Sequence, residues 1–252
     1  MEAANPYDGS AVQVVPLPVE RMPLHRWQPG SRVLVVGSRD GAGFDADWSA
    51  AEARTFRRRL DPTLLATARE RGGCSAVAAA WSESLRFPRG LDLLLGSGAP
   101  LIVASAGRGE TQVVERLLPQ VAAWLLLIHR QPGEQVQRIL DAAAHVEVLL
   151  ALDADMVLPE LPWPRIRALH LVPRRPADDP QARRAWYATA RAALPPTVPI
   201  YDEDQPHSEC RCGARLVWRS GGASRRDGLS DDGRCVSCGR VAGFTLAQPG
   251  AL

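Results

Sequence analysis

The chain alternates short apolar runs with longer helix-like segments. Seven short runs are apolar almost throughout, which is typical of strands buried on both faces of a parallel sheet. The predicted strands are residues 32–36, 75–80, 101–104, 122–128, 146–152, 168–172 and 198–201. The predicted helices between them are residues 62–71, 111–118, 134–144 and 180–194. This order of elements predicts an α/β fold, a complete or partial (β/α) barrel.

The rest of the chain predicts one segment on either side of that barrel. Residues 1–30 are rich in proline and are predicted to lie extended over the surface of a barrel formed by residues 31–204. Residues 205–246 follow a short acidic linker and carry most of the cysteines. The sequence therefore predicts an extended N-terminal segment, a barrel and a small C-terminal ribbon.

Four of the five cysteines form two pairs, Cys210-Arg-Cys212 and Cys235-Val-Ser-Cys238, and each pair runs into a glycine. A tetrahedral metal takes four soft ligands, and two tight turns deliver two thiolates each, so the pattern predicts a structural zinc ribbon. The first pair is one residue shorter than the usual C-x2-C. Two alternatives stay open: His207 replaces Cys210 as the fourth ligand, or the cysteines form two disulfides.

Composition narrows the classes of function. The longest apolar run, Val121–Ile128, is too short to span a bilayer. The first residues carry neither a basic segment nor an apolar core, so we expect a cytoplasmic protein. All 30 basic residues are arginine, which excludes a Schiff-base lysine and a P-loop lysine. The formal net charge of +2 gives no reason to expect a nucleic-acid partner.

Polar residues follow several of the predicted strands. In parallel α/β folds, ligands gather at the C-terminal ends of the strands, the mouth of a barrel. The residues at these positions predict a mouth of mixed charge. The candidate ligand-pocket residues are Asp40, Glu83, Ser105 and Asp153.

Several segments occur in an order more specific than the composition. They are Val19-Glu-Arg-Met-Pro-Leu-His-Arg-Trp-Gln-Pro-Gly-Ser31, Cys74-Ser-Ala-Val-Ala-Ala-Ala-Trp-Ser-Glu83, Ala104-Ser-Ala-Gly107 and the two cysteine pairs. Together they resemble the radical S-adenosylmethionine enzymes of the AmmeMemoRadiSam system, relatives of the pyruvate formate-lyase activating enzymes. In that family a "PIEKKPL-x-HF-x-PGS" segment precedes the first barrel strand, and a C-terminal ribbon "CP-x-CG … C-x-x-CG" closes the chain.

The resemblance spans residues 9–244 and implies a radical-SAM-type barrel. It places Glu83 at the glutamate of the family's "YNEP"-type motif and Ser105 at the threonine of its "TNG" motif. The strand end that carries the motif glutamate faces the cofactor in that family. The resemblance therefore implies that S-adenosylmethionine would approach this edge of the sheet.

The chain departs from the family in the loop after the first strand. There the family carries C-x3-C-x2-C, whose three thiolates bind three irons of a [4Fe–4S] cluster. Residues 37–48 of this chain contain no cysteine, and the acidic residues present, Asp40, Asp45 and Asp47, suit Mg or Ca rather than an iron–sulfur cluster. We therefore expect no [4Fe–4S] cluster and no reductive cleavage of S-adenosylmethionine.

These observations lead to two hypotheses about function. The first is a non-catalytic paralogue that acts as an interaction or regulatory subunit of a protein partner, such as an active radical SAM enzyme. The alternative is a ligand-binding protein or non-radical enzyme that uses the barrel mouth for another purpose and still binds S-adenosylmethionine.

Overall fold

The computed structural model describes residues 8–37, 58–81, 83–153, 157–175, 178–202, 206–220 and 223–246. These residues form a mostly parallel eight-stranded sheet with five helices, and a three-stranded sheet near the C-terminus. The α/β class predicted from the sequence is confirmed, and the large sheet is compatible with a partial barrel. None of the helices in these ranges is long and apolar enough to cross a membrane.

The large sheet contains β2 (Gln13–Pro18), β3 (Arg32–Gly37), β5 (Ala76–Ala80), β6 (Leu101–Ser105), β7 (Val121–Ile128), β8 (Val146–Leu152), β9 (Ala168–Pro173) and β10 (Ile200–Tyr201). The helices are α1 (Pro62–Arg71), α2 (Pro88–Leu95), α3 (Thr111–Leu117), α4 (Glu134–Ala142) and α5 (Pro180–Ala193). A separate pair joins β1 (Ser10–Ala11) to β4 (Arg58–Arg59), and the small sheet contains β11 (Ser208–Glu209), β12 (Arg215–Ser220) and β13 (Ala223–Arg226).

The large sheet is wound in one direction only. Its spatial order is β10-β9-β8-β7-β6-β5-β3-β2, so that seven strands follow chain order and run parallel, while β2 pairs antiparallel with β3 at the edge. Parallel crossovers are right-handed, and a sequential order therefore places the connecting helices on one face of the sheet. Pro16 and Pro18 have no N–H to donate, which suits an edge strand.

The two faces of the sheet are covered differently. One face packs against all five helices, through side chains such as Leu65, Leu91, Val114, Ile139 and Tyr187. The other face buries a second cluster, to which none of these helices contributes and which the chain before β3 completes. The strands that lie between the two layers are therefore mostly apolar on both sides, and this explains the nearly continuous apolar runs in the sequence.

The N-terminal segment lies closer to the core than an extended surface position. Residues 13–18 are a strand of the sheet, and the side chains of Val19, Leu24 and Trp27 are at most 1% exposed. They pack on the face where β5 presents only alanines. These short side chains leave the space that the large side chains before β3 occupy.

Helix α2 has no counterpart among the sequence-based predictions. Its first turns contain Gly90, a residue that weakens helices. The glycine is required by packing, because a Cβ at this position would lie 3.0 Å from the Trp81 ring. Helices α1 and α5 begin where they were predicted, since Asp61 and Asp179 accept hydrogen bonds from their first-turn N–H groups.

Candidate functional site

Four cysteines come together at one end of the small sheet. The sulfur atoms of Cys210, Cys212, Cys235 and Cys238 all lie within 4.8 Å of one another. Among the described residues, no other group of three or more His, Cys, Asp or Glu side chains has the geometry of a metal site. The four cysteines are positioned to hold a metal ion.

The distances between the sulfurs identify the kind of site. Cys210 Sγ lies 3.5 Å from Cys238 Sγ, and Cys212 Sγ lies 3.8 Å from Cys235 Sγ. A disulfide would bring two sulfurs to about 2.0 Å. A tetrahedral ion with metal–sulfur bonds of about 2.3 Å separates its ligands by about 3.8 Å. The spacing fits a tetrathiolate metal site, and all four sulfurs are free thiols rather than disulfides.

Two tight turns deliver these thiolates. The N–H of Gly213 donates to the carbonyl of Cys210 at 2.9 Å, and the N–H of Gly239 donates to that of Cys235 at 2.8 Å. Both glycines have a φ in the left-handed region, 86° and 71° respectively, which side chains disfavour. The first turn is closed as well, although its cysteines are one residue closer than usual, because the Cys210 N–H donates to Ala214 O at 2.8 Å.

His207 has a different role from the one left open by the sequence. Its Nδ1 accepts a hydrogen bond from the Arg219 N–H at 3.0 Å, and its ring stacks on Trp218 at 6.0 Å between centroids. The metal-ligand group contains Cys210 and not His207. The structure therefore favours the four-cysteine set over the set with His207.

The cysteines are not equally acidic. Desolvation opposes ionisation of Cys235, but hydrogen bonds from the amides of Cys238 and Ser237 outweigh it and lower its pKa to about 7. The Arg240 amide acts to lower the pKa of Cys238, whereas desolvation and hydrogen bonding to the other three sulfurs raise it to about 11. The thiols therefore do not all lose their protons at the same pH. A bound divalent cation would stabilise all four as thiolates.

The ribbon, residues 206–246, attaches to the chain that precedes β3. The Thr245 N–H donates to Arg26 O at 2.9 Å, and Thr245 O accepts from the Gln28 N–H at 2.6 Å. The Arg26 guanidinium donates to the carbonyl of Ala242 and lies 4.6 Å from the centre of the Phe244 ring. The end of the ribbon is therefore hydrogen-bonded to the segment that covers the helix-free face of the sheet.

Beneath this contact lies a fully buried carboxylate. Glu147, on β8, accepts backbone hydrogen bonds from the N–H groups of His25 at 2.8 Å and Arg26 at 2.9 Å. It also bonds His145 Nε2 and His170 Nε2, both at 2.9 Å. Four partners surround its two oxygens, which offsets the cost of burying the charge.

The buried network extends from the large sheet into the ribbon. The hydroxyl of Tyr201, on β10, accepts from Arg26 Nε at 3.0 Å and lies 2.7 Å from Ser208 Oγ, on β11. Arg219, on β12, donates to Ser208 Oγ at 2.8 Å and to the carbonyl of His25. Because Arg219 is only 4% exposed, its charge is part of the same buried cluster.

This cluster was not predicted from the sequence. Glu147 and His170 are polar residues within strands that are otherwise apolar, and such residues require buried partners. That signal was available, but nothing in the sequence names the partners. His145 reaches both Glu147 and, through its Nδ1, Thr245 Oγ1 at 3.0 Å, so it too links the sheet to the ribbon.

Glu147 and His25 have strongly shifted pKa values in this cluster. Burial acts to raise the pKa of Glu147, but the hydrogen bonds and charges of His145 and His170 outweigh it and hold this pKa well below its ordinary value. Burial, together with repulsion from His170 and Arg219, lowers the pKa of His25 to about 2 in spite of the attraction of Glu147. Glu147 is therefore ionised and His25 neutral near neutral pH.

Glu83, in the loop after β5, lies beside Ser105, the last residue of β6. Both are at the C-terminal ends of the parallel strands, whereas Glu147 is near the N-terminal end of β8. Glu83 is 1% exposed, and its Oε1 accepts from the Ser105 hydroxyl at 2.5 Å and the Leu85 N–H at 3.1 Å. Its Oε2 accepts from the N–H groups of Ala106 at 3.0 Å and Arg108 at 3.2 Å. The carboxylate thus organises the loops after β5 and β6.

The other candidate residues are not part of this group. Asp153 follows β8, two strands away from β6, and its partly exposed carboxylate pairs with Arg174 at 3.0 Å. Asp40 lies outside the described residues, as do Asp45 and Asp47. Of the four candidate pocket residues, the structure brings together Glu83 and Ser105.

No protein-family model matches the chain, and no curated protein matches its sequence. The resemblance to radical SAM enzymes therefore rests on the motifs of the sequence.

We predict that Cys235→Ser lowers the metal content of the purified protein, because removing one thiolate leaves an incomplete ligand shell around the ion. The number of metal ions per chain, measured by inductively coupled plasma mass spectrometry, should fall from about one to well below one half. Cys74→Ser is the matched control, since Cys74 is a buried thiol outside the metal-ligand group. Equal metal content in the two variants would contradict the assignment.

Stability should fall as the pH drops below about 6.5, the ordinary pKa of histidine. His25 binds a proton in the unfolded chain at these pH values but stays neutral in the fold, where its pKa is about 2. The unfolded state therefore binds more protons, and acid favours it. Urea unfolding of wild type and His25→Gln should show a difference in pH dependence of about 1–2 kcal/mol between pH 7 and pH 5. If the unfolding free energies of the two proteins changed with pH in parallel, His25 would not be held neutral in the fold.

Proposed function

We propose that the chain is a relative of the radical SAM enzymes that has no iron–sulfur cluster and acts without catalysis, as an interaction or regulatory subunit, with structural zinc in its ribbon. Three features of the chain support this function: the ligands of the metal site, the hydrogen bonds of Glu83 and the exposed surface of the ribbon.

The donor set supports zinc as the metal. Four cysteine sulfurs at tetrahedral spacing are soft ligands that suit Zn²⁺, whereas Mg²⁺ and Ca²⁺ require oxygen. A shell of four protein ligands leaves no coordination position for a substrate, so the ion serves to fold the ribbon. Thr245 is hydrogen-bonded to the segment before β3, so the folded ribbon would stabilise that segment.

The observation that carries the non-catalytic part is the state of Glu83. Its two oxygens already accept hydrogen bonds from the Ser105 hydroxyl and from three backbone N–H groups. At the position where the resemblance places a cofactor-facing glutamate, the carboxylate organises loops. The sequence between residues 37 and 48 also lacks the thiolates that a cluster requires.

The surface of the ribbon supports the interaction role. Three large apolar side chains are strongly exposed in the described parts of the chain, and two of them, Val236 and Val241, belong to the ribbon and are 68% and 70% exposed. Val236 lies within the second metal-binding turn. Burial of these two side chains against another protein would be favourable, which makes the ribbon our candidate contact surface.

Anaerobic reconstitution with iron and sulfide tests the proposal. We expect about one zinc per chain, no labile sulfide and no absorbance band near 400 nm, because the thiolates for a cluster are missing. Calorimetry with S-adenosylmethionine, followed by an assay for its cleavage, should show no turnover. A reconstituted cluster that cleaves S-adenosylmethionine would overturn the proposal.

Gel filtration together with a radical SAM enzyme that carries the complete C-x3-C-x2-C motif tests the interaction role. Co-elution of the two proteins in gel filtration should be lost in Val236→Glu with Val241→Glu and kept in Val157→Glu, since Val157 is equally exposed but lies outside the ribbon. Equal loss in both variants would show that the ribbon is not the contact surface.

A further inference from the structure

A small cavity opens at the C-terminal edge of the large sheet, between the loop after β6 and the loop after β7. Its volume is about 100 Å³, and its walls are residues 106–108, residues 129–133, the end of β7 and the start of α4. Sites for drug-sized ligands measure roughly 300–1,000 Å³. The volume therefore suits a small ion or the charged end group of a larger molecule.

The side chains that line this cavity and are charged at neutral pH, Arg108 and Arg130, are both positive. Arg108, His129 and Arg130 contribute to its walls, and none of the lining residues is Asp or Glu. Guanidinium groups bind oxyanions through paired, charge-assisted hydrogen bonds. Two arginines around so small a space favour an anion with several oxygens that carries more than one negative charge.

The wall formed by residues 106–108 is fixed from behind. Glu83 accepts hydrogen bonds from the N–H groups of Ala106 and Arg108, and Ser105 Oγ accepts one from the Gly107 N–H at 2.8 Å. Gly107 has a φ of 77°, and a Cβ there would lie 2.3 Å from Val136 Cγ2. The loop thus packs directly against α4, and the position of the cavity wall is set before any ligand enters.

The opposite wall adds backbone donors to these side chains. Helix α4 begins after Gly133, whose position at the N-cap offers no side-chain acceptor. The first N–H groups of a helix have no acceptor within the helix itself. Gly133 and Val136 both line the cavity, so this uncapped helix end borders the same space as Arg130.

We propose that this cavity binds a phosphate group, either inorganic phosphate or the phosphate of a small phosphomonoester, with Arg108 and Arg130 as its charged ligands. This site is separate from the ribbon and from the role proposed for it. Its test is therefore independent of the zinc and cluster experiments.

Thermal unfolding with and without about 10 mM inorganic phosphate, at constant ionic strength, measures the binding. Wild type should gain about 2–5 °C. Arg130→Ala should lose this gain, because the change removes one of the two charged ligands. Arg130 is exposed, so its removal leaves the core undisturbed. Arg167→Ala, an equally exposed arginine directly before β9 at the other edge of the sheet, should keep it.

A second variant separates binding from folding. A Cβ at position 133 meets no atom within 4 Å, and the φ of Gly133 is −76°, so that Asp fits there. Its carboxylate would cap α4 and place a negative charge in the cavity. Gly133→Asp should be more stable than wild type without phosphate and should not respond to phosphate. Gly133→Ala, which adds neither a cap nor a charge, should still respond.

Titration with inorganic phosphate and with glycerol phosphate distinguishes the two sources of the group. Tighter binding of glycerol phosphate would assign a phosphorylated small molecule, and tighter or equal binding of inorganic phosphate would assign the free ion. No response of wild type to either ligand would overturn the proposal. A response that Arg130→Ala and Gly133→Asp share with wild type would overturn it as well.

Discussion

The position of the N-terminal segment on the sheet depends on the hydrogen bonds of the buried Glu147 carboxylate. An isolated charge in a core costs several kcal/mol, and only a complete set of partners offsets that cost. Here the set is assembled from distant parts of the chain: two backbone N–H groups before β3 and the imidazoles of His145 and His170. The pairing fixes the path of the N-terminal segment across the sheet. It thereby places Arg26 where the ribbon can bind it.

The ribbon that carries the four-cysteine site is connected to the buried network by hydrogen bonds. Thr245, Ala242 and Arg219 are among the ribbon residues that make hydrogen bonds to the segment before β3. The four cysteines are positioned to hold the ribbon in the shape that presents these groups. This system lies near the N-terminal end of β8, whereas Glu83 and the small cavity lie at the C-terminal edge of the sheet. In parallel α/β barrels the first of these ends serves stability and the second serves ligand binding. The division agrees with the proposals of a structural metal in the ribbon and of a separate ligand site.

Features that depend on residues close in sequence were predicted, and features that depend on contacts between distant residues were missed. Strands such as β8 are recognisable because burial on both faces requires continuous apolar residues, and the tetrathiolate site is recognisable because its ligands are close in sequence. Strand β2 is obscured by two prolines that an edge position tolerates, and α2 by the glycine that Trp81 requires. One partner of Glu147, His145, is two residues away, but the other three are 23 to 122 residues away, and no local pattern encodes those three. The cavity likewise results from two loops that only the fold brings together.

Hydrogen exchange before and after removal of the metal by a chelator tests most directly whether the ribbon and the buried network are one system. Loss of the metal should increase exchange at the amides of His25 and Arg26, which donate to Glu147, and at residues 242–246. Strand β6, which lies away from the ribbon contact, should stay protected. An increase confined to residues 210–213 and 235–239 would contradict the coupling, because the metal would then stabilise only its own two turns.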